Sequence, residues 1–176
     1  MNGRITLLTG GARSGKSTRA MEIANGFPRR VIIATATPFD DEMARRIEEH
    51  QAERGDEWVT VEEPIDLARA VRGIPSSASA DATAVVVDCL TVWLGNLFHD
   101  EPDNVEARID SLVAAVASSP HDLIIVSNEI GWGIVPADAE TRLFRDVAGR
   151  LNQRVARIAT HVELVVSGIP VTIKGR

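Results

Sequence analysis

Residues 5–17 have the sequence ITLLTGGARSGKS, an apolar run followed by a glycine-rich segment that ends in lysine and serine. Positions 10–17 match the phosphate-binding pattern of glycine, any four residues, and then Gly-Lys-Ser. The pattern lies in the context that it requires, because residues 5–9 are typical of a buried strand and residues 18–24 of a helix. This stretch predicts an α/β fold in which a mostly parallel sheet is flanked by helices.

The residue types of this stretch each suit phosphate binding. Glycines let the backbone approach an anion closely, and successive N–H groups at the positive end of a helix face it. Lys16 can reach the β- and γ-phosphate oxygens, and the Ser17 hydroxyl can bind Mg²⁺. A glycine-rich turn that only caps a helix is the alternative. Lysine is rare in this chain, which has only Lys174 besides Lys16, so a lysine at this position of the motif favours phosphate binding. We therefore predict a P-loop NTPase fold with a nucleoside triphosphate bound by Gly10, Gly11, Ala12, Arg13, Ser14, Gly15, Lys16 and Ser17.

Length, charge and cysteine content limit the classes of protein. At 176 residues the chain has the size of a single domain, predicted over residues 1–176. The net charge of −6 argues against a general nucleic-acid binder, which needs a broad basic face. Cys89 is the only cysteine, and the first strand begins close to Met1, so we expect a cytoplasmic protein without a disulfide or a signal peptide. Asp88 and Asn96 interrupt the apolar stretch 82–98, which predicts no membrane span.

Apolar runs and helix-forming segments alternate along the rest of the chain. This alternation predicts crossover connections between parallel strands, with ligands at the carboxyl ends of those strands. The predicted strands are 31–36, 84–88, 123–127, 162–168 and 171–174. The predicted helices are 40–54, one that starts at Pro64 and runs through 71, 90–98, 105–117 and 140–160.

Polar and small residues follow three of the predicted strands. Asp88 ends a strand rich in valine, as does the second metal-holding carboxylate of a P-loop nucleotidase, so we predict that it binds Mg²⁺ together with Ser17. Glu129 follows a later strand and is a second candidate carboxylate, although a capping or packing role is the alternative. The strand that ends at position 36 predicts nucleotide contacts for Ala34, Thr35 and Ala36, against the alternative of a strand end without a ligand role.

His50 lies on the predicted helix 40–54 between two arginines. Arg46 and Arg54 are each four residues away, so the three side chains share one face. Two neighbouring cations disfavour the protonated imidazole and leave a neutral nitrogen that can attack or ligate. From the residues alone, a solvated surface histidine remains the alternative.

Six blocks of sequence together carry a resemblance to a known family. They are 9–17, 33–36, 40–47 leading to His50, 128–136, 144–154 and 165–171. Over essentially its whole length the chain resembles the bifunctional adenosylcobinamide kinase / adenosylcobinamide-phosphate guanylyltransferase family of cobalamin biosynthesis. The later blocks belong to no general nucleotidase pattern, which makes the resemblance more specific than the phosphate loop alone.

The resemblance implies two reactions. ATP or GTP phosphorylates the aminopropanol hydroxyl of adenosylcobinamide, and GTP then transfers GMP to the new phosphate, which gives adenosylcobinamide-GDP and pyrophosphate. It implies His50 as the nucleophile that carries GMP. For the kinase step the sequence itself implicates Lys16, with Ser17 and Asp88, because phosphoryl transfer needs positioning and charge neutralisation. The resemblance also implies guanine-nucleotide contacts by Gln51, Ala52, Glu53, Arg54, Glu62 and Asp88.

The resemblance also bears on assembly and has one departure. The family carries two adjacent histidines where this chain has Glu49 and His50. The family is trimeric, which implies a homotrimer in which apolar side chains such as Trp93 or Leu143 face a neighbouring subunit. Trp132 lies in a loop between two glycines and could cover a bulky substrate. Two alternatives stay open at this point: a P-loop kinase of another small alcohol, and a non-catalytic nucleotide-binding module.

Overall fold

Seven strands form one sheet, and helices cover both of its faces. The computed structural model describes residues 3–37, 45, 55, 57–75 and 82–175. The strands are β1 (Ile5–Thr9), β2 (Arg29–Ala34), β3 (Trp58–Glu62), β4 (Thr83–Asp88), β5 (Asp122–Val126), β6 (His161–Val166) and β7 (Ile169–Lys174). The described helices are α1 (Lys16–Ala24), α2 (Leu67–Gly73), α3 (Leu90–Asp100), α4 (Val105–Ala117) and α5 (Ala139–Ile158).

The strand order confirms the predicted α/β class. Across the sheet the order is β3-β2-β4-β5-β1-β6-β7, and every neighbouring pair is parallel except β6 and β7. β7 instead turns back antiparallel to β6, and all six of its residues are exposed. A single domain over residues 1–176 stays a prediction, supported by the fact that all seven described strands lie in one sheet.

Alternate residues of the central strands pack into two separate hydrophobic cores, one on each face of the sheet. On one face, Leu7 and Val85 pack in a large core with residues of α2, α3, α4 and α5. On the other face, Leu8 and Val86 pack with Ala20 and neighbouring residues of α1. Strands buried on both sides must be apolar throughout, which is why they occur in the sequence as unbroken runs. Because β1 to β6 are parallel, their carboxyl ends lie together at one edge of the sheet, which is where ligands bind in such folds.

Two features of residues 57–73 differ from the sequence predictions. β3 was not predicted; it is an edge strand whose residues are partly or fully exposed, so it lacks a continuous apolar run. The prediction that a helix starts at Pro64 is wrong, because α2 begins at Leu67. Glu63 accepts hydrogen bonds from the N–H groups of Ile65 and Asp66 and so forms a turn, and the Asp66 side chain then caps the helix.

Other predictions have mixed outcomes. Trp93 is 1% exposed and lies in the core, so the suggestion that it faces a neighbouring subunit is wrong. Leu143 is 53% exposed and remains free for such a contact.

The predicted helix 40–54, apart from the helical Arg45, lies outside the described residues. Among the described helices, none is both long and apolar enough to cross a membrane.

Candidate functional site

The phosphate loop joins β1 to α1, as the sequence predicted. Gly15 has a φ of 98° and precedes the first helical residue, Lys16. No side chain of the described residues caps the start of α1, so its first N–H groups are positioned to meet an anion. The loop therefore has the backbone conformation that the phosphate-binding pattern requires.

The loop is supported from behind by β6 and the turn after it. Gly168 N donates a hydrogen bond of 2.8 Å to the carbonyl oxygen of Ser14. Gly10 has a φ of 147°, and a Cβ atom there would lie 2.3 Å from the carbonyl oxygen of Val165. Because a Cβ cannot fit at that distance, only glycine at position 10 allows the loop to lie against β6 in this way.

Lys16 is buried within the loop. Its Nζ donates to the Gly11 carbonyl oxygen at 2.6 Å and to Ser14 Oγ at 3.4 Å. Burial lowers the pKa of Lys16, and the nearby carboxylates of Asp88 and Glu129 partly offset that effect. The lysine therefore lies at the meeting point of the loop, β4 and the segment after β5.

Asp88 lies at the carboxyl end of β4, beside the loop. It pairs in register with Ala34 of β2 and with Val126 of β5. Within the described part of the chain, no side chain or N–H group donates a hydrogen bond to its carboxylate. Burial raises the pKa of the adjacent Cys89 thiol to about 11, so the thiol is neutral near pH 7. Asp88 is thus the acidic group of this strand end that is free to hold a ligand.

Thr35 holds two strand ends of the site together by hydrogen bonds. Its hydroxyl accepts a hydrogen bond from Cys89 N and lies within bonding distance of the carbonyl oxygens of Asp88 and Cys89, and the side chain is fully buried. Its carbonyl oxygen accepts a bond from Asn96 Nδ2. These bonds join the end of β2 to the end of β4. Ala34, Thr35 and Ala36 lie at the predicted edge, and their contact with a nucleotide stays a prediction.

Glu129 lies against the phosphate loop. Its N–H donates a hydrogen bond of 3.0 Å to the Gly10 carbonyl oxygen, and its Oε1 accepts one of 2.6 Å from Thr9 Oγ1. Asn152 of α5 donates a further hydrogen bond to the same Oε1 at 3.1 Å. Sequence reasoning named Glu129 but missed Asn152, although a polar residue within the apolar stripe of α5 is the kind of signal that marks such a position.

Of the other residues predicted to contact the guanine nucleotide, the structure describes Glu62, which lies away from the loop. Glu62 is exposed at the end of β3 and pairs with Ala34 of β2. Four strand spacings separate β3 from β1, which corresponds to about 19 Å across the sheet. His50 and residues 51–54 lie outside the described residues.

A largely apolar loop follows Glu129 directly. Trp132 is 69% exposed, Ile134 is 97% exposed and Val135 is 62% exposed. Large apolar side chains that are adjacent and exposed next to a polar site are typical of a ligand or protein contact. Trp132, the residue between the two glycines, is therefore available for such a contact.

Comparison with known proteins decides the family. A model of the cobinamide kinase / cobinamide phosphate guanyltransferase family matches residues 6–173. The chain belongs to this family. It is 42% identical over 171 residues to the bifunctional adenosylcobalamin biosynthesis protein CobP of Pseudomonas aeruginosa, covering 96% of each chain. It is 41% identical over 185 residues to the Escherichia coli bifunctional adenosylcobalamin biosynthesis protein CobU, covering 97% of this chain and 99% of that one.

The fold is also found outside the family. The structure of the RadB recombinase aligns with a TM-score of 0.53 and 13% identity, covering 93% of this chain and 74% of that one. At that identity the likeness shows the fold alone. It agrees with the P-loop NTPase fold predicted from residues 10–17.

Proposed function

We propose that this chain catalyses both reactions of its family. In the first, ATP or GTP phosphorylates the aminopropanol hydroxyl of adenosylcobinamide. In the second, GMP from GTP is transferred to that phosphate through a guanylyl-histidine, and the products are adenosylcobinamide-GDP and pyrophosphate. Membership of a bifunctional family over nearly the full chain supports the proposal.

The observation that carries the kinase half is the group of charged residues at the phosphate loop. The buried ammonium of Lys16 donates a hydrogen bond to the Gly11 carbonyl oxygen of the loop, and the negative charges of Asp88 and Glu129 are near enough to act on it. Phosphoryl transfer depends mainly on positioning and charge neutralisation, and this arrangement offers both. A triphosphate bound by residues 10–17 would present its γ-phosphate to this group.

The residues at the loop also fit Mg²⁺. Ser17 and Asp88 would hold the ion, since hydroxyl and carboxylate oxygens are the ligands that Mg²⁺ prefers. The Asp88 carboxylate, free of hydrogen bonds from the described residues, has its oxygens available for this role. When bound, Mg²⁺ neutralises the charge of the phosphates.

His50 carries the second half of the proposal. A neutral imidazole is a good nucleophile at phosphorus, and a covalent intermediate divides one difficult step into two easier ones. Guanine-nucleotide contacts are proposed for the residues that match the family at that point: Gln51, Ala52, Glu53, Arg54, Glu62 and Asp88. This chain has Glu49 where the family has its first histidine, so the proposal assigns no role to a pair of histidines.

The test of the second half is labelling with GTP that carries the label on its α-phosphate. We expect wild-type protein to take up label in a bond that survives alkali and is lost in acid, as a phosphoramidate is. His50→Ala should take up none. His99→Ala is the matched control, since His99 is exposed on α3 and should label normally.

Three results would contradict parts of the proposal. Wild-type protein that phosphorylates adenosylcobinamide but takes up no α-label would be a kinase only. Protein that phosphorylates a different small alcohol would have another substrate. Label retained by His50→Ala would show that a different residue is the nucleophile.

Assembly and location are further parts of the proposal. A homotrimer would have three times the 19.0 kDa mass of the chain, which light scattering coupled to gel filtration measures directly. Leu143 and the exposed side chains of β7 are available for such a contact. A cytoplasmic location stays a prediction that rests on the single cysteine.

A further inference from the structure

We propose that Glu129 accepts the proton of the substrate hydroxyl in the phosphorylation step, and that Asn152 positions it. The proposal rests on the kinase activity proposed above. It assigns a catalytic role to a carboxylate on the segment after β5 and a positioning role to an amide on α5. Location, orientation and chemistry support it in turn.

Location comes first. The N–H of Glu129 bonds to the Gly10 carbonyl oxygen, so the residue lies directly against the phosphate loop. Its Oε1 accepts a hydrogen bond from the hydroxyl of Thr9, the residue that immediately precedes the loop. Because Asp88 is the predicted Mg²⁺ ligand, Glu129 is the described carboxylate at these strand ends that is left for another role.

Orientation distinguishes the two oxygens of the carboxylate. Oε1 accepts hydrogen bonds from Thr9 Oγ1 at 2.6 Å and from Asn152 Nδ2 at 3.1 Å. No described residue donates a hydrogen bond to Oε2. One oxygen is therefore fixed by two donors, and the other keeps its lone pairs for a group outside the protein.

Both the oxygen and the nitrogen of the Asn152 side-chain amide form hydrogen bonds in this arrangement. Its Oδ1 accepts a 2.6 Å bond from Ser127 Oγ, and its Nδ2 also donates to the Asn128 carbonyl oxygen at 3.1 Å. Asn152 and Ser127 are both buried. Among the described residues, the bonds of this buried amide all go to residues 127–129, and they fix the path of that segment and the angle of the Glu129 side chain.

The chemistry balances without any further reactant. The hydroxyl oxygen of the substrate forms a bond to the γ-phosphorus, and the bond from that phosphorus to the β,γ-bridging oxygen breaks. The electron pair of the broken bond leaves with the nucleoside diphosphate. The hydroxyl proton passes to Oε2 of Glu129 and then to solvent, and Oε1 stays held by its two donors. General-base assistance of this kind is typical of positioned carboxylates.

The experiment compares three variants in the kinase assay, measured as transfer of γ-phosphate from ATP to adenosylcobinamide. Glu129→Gln keeps the shape and the acceptor at Oε1 but places an NH₂ group where Oε2 was. We expect its kcat to fall by about 100-fold or more. Asn152→Ala should lower kcat by about 10- to 100-fold through misplacement of the carboxylate. In both, the KM values and labelling by α-labelled GTP should stay within about threefold of wild type. Glu140→Gln, which changes an exposed carboxylate in the first turn of α5, is the matched control and should be unaffected.

Each other result overturns a stated part. Glu129→Gln with near wild-type kcat, while wild type is active, would exclude the catalytic role. A kcat restored by raising the Mg²⁺ concentration would make Glu129 a metal ligand instead. Loss of nucleotide binding together with kcat would show a structural role, and an unchanged kcat in Asn152→Ala would remove the positioning role. Wild-type protein that phosphorylates no cobinamide would overturn this proposal together with the proposed kinase.

Discussion

Replacement of Gly10 by alanine tests how the phosphate loop is held. The φ of Gly10, 147°, lies in a region that alanine rarely adopts, and the new Cβ would lie 2.3 Å from the Val165 carbonyl oxygen. That oxygen belongs to the backbone of β6, a strand inside the sheet, so it cannot move aside without disturbing β6. The loop or the strand must therefore shift.

The expected cost has two parts. Backbone strain of this kind costs about 1–3 kcal/mol, and forcing one extra carbon into a packed site costs about 1–3 kcal/mol. Together they lower the free energy of unfolding by about 2–6 kcal/mol. For a chain of this size that corresponds to a fall in Tm of roughly 5–20 °C.

Gly11→Ala provides the matched control in the neighbouring position. No heavy atom lies within 4 Å of a Cβ at Gly11, and its φ is not in the positive region. We expect its Tm to stay within about 2 °C of wild type, since such surface changes are worth about 0.5 kcal/mol or less. Thermal unfolding followed by circular dichroism measures the change in Tm of each variant, and titration of a fluorescent ATP analogue measures whether each loop still binds nucleotide. A Gly10→Ala protein that unfolds at the wild-type temperature would refute the packing argument.

Two further predictions concern charged groups. Lys16→Ala should lower the kcat of phosphorylation by about 100-fold or more while the fold is retained, because a charge that neutralises the phosphates is lost; a variant with a normal phosphorylation rate would remove Lys16 from the mechanism. Glu163 is buried and accepts two bonds from Arg19 and one from His161, and the bond from Arg19 lowers the pKa of Glu163. A carboxyl whose pKa is depressed by folding stabilises the protein above its unfolded pKa, near 4.5, and loses that contribution as the pH falls through the lower folded pKa. Urea unfolding should therefore show Glu163→Gln to be less stable than wild type by about 1–3 kcal/mol at pH 7, with the difference shrinking below about pH 4. A difference that does not change with pH would contradict this assignment.

Some parts of the site could be found from local sequence because their physical causes are local. The glycines, lysine and serine of residues 10–17 act through the backbone of one short loop, so their spacing in the sequence is sufficient to predict them. The runs that became β1, β4 and β5 are buried on both faces, which makes them continuously apolar and easy to recognise.

Two elements leave no recognisable pattern in the sequence. β3 is a half-exposed edge strand, so its sequence lacks the apolar run that marks the central strands. Glu63 forms a turn with its own carboxylate, and that contact moved the start of α2 from Pro64 to Leu67. Neither effect follows a periodic pattern in the sequence.

The sequence by itself determined the phosphate loop, the α/β class and the family, since each follows from residue types at fixed short spacings. Only the tertiary structure decided that Asn152 and Thr9 hold Glu129 beside Lys16. Thr9 and Glu129 are 120 positions apart and Asn152 lies 23 positions further on, so their hydrogen bonds exist only once β1, β5 and α5 have packed together. A polar side chain has the same appearance in a sequence whether water or a buried partner satisfies it, and the folded chain determines which one does.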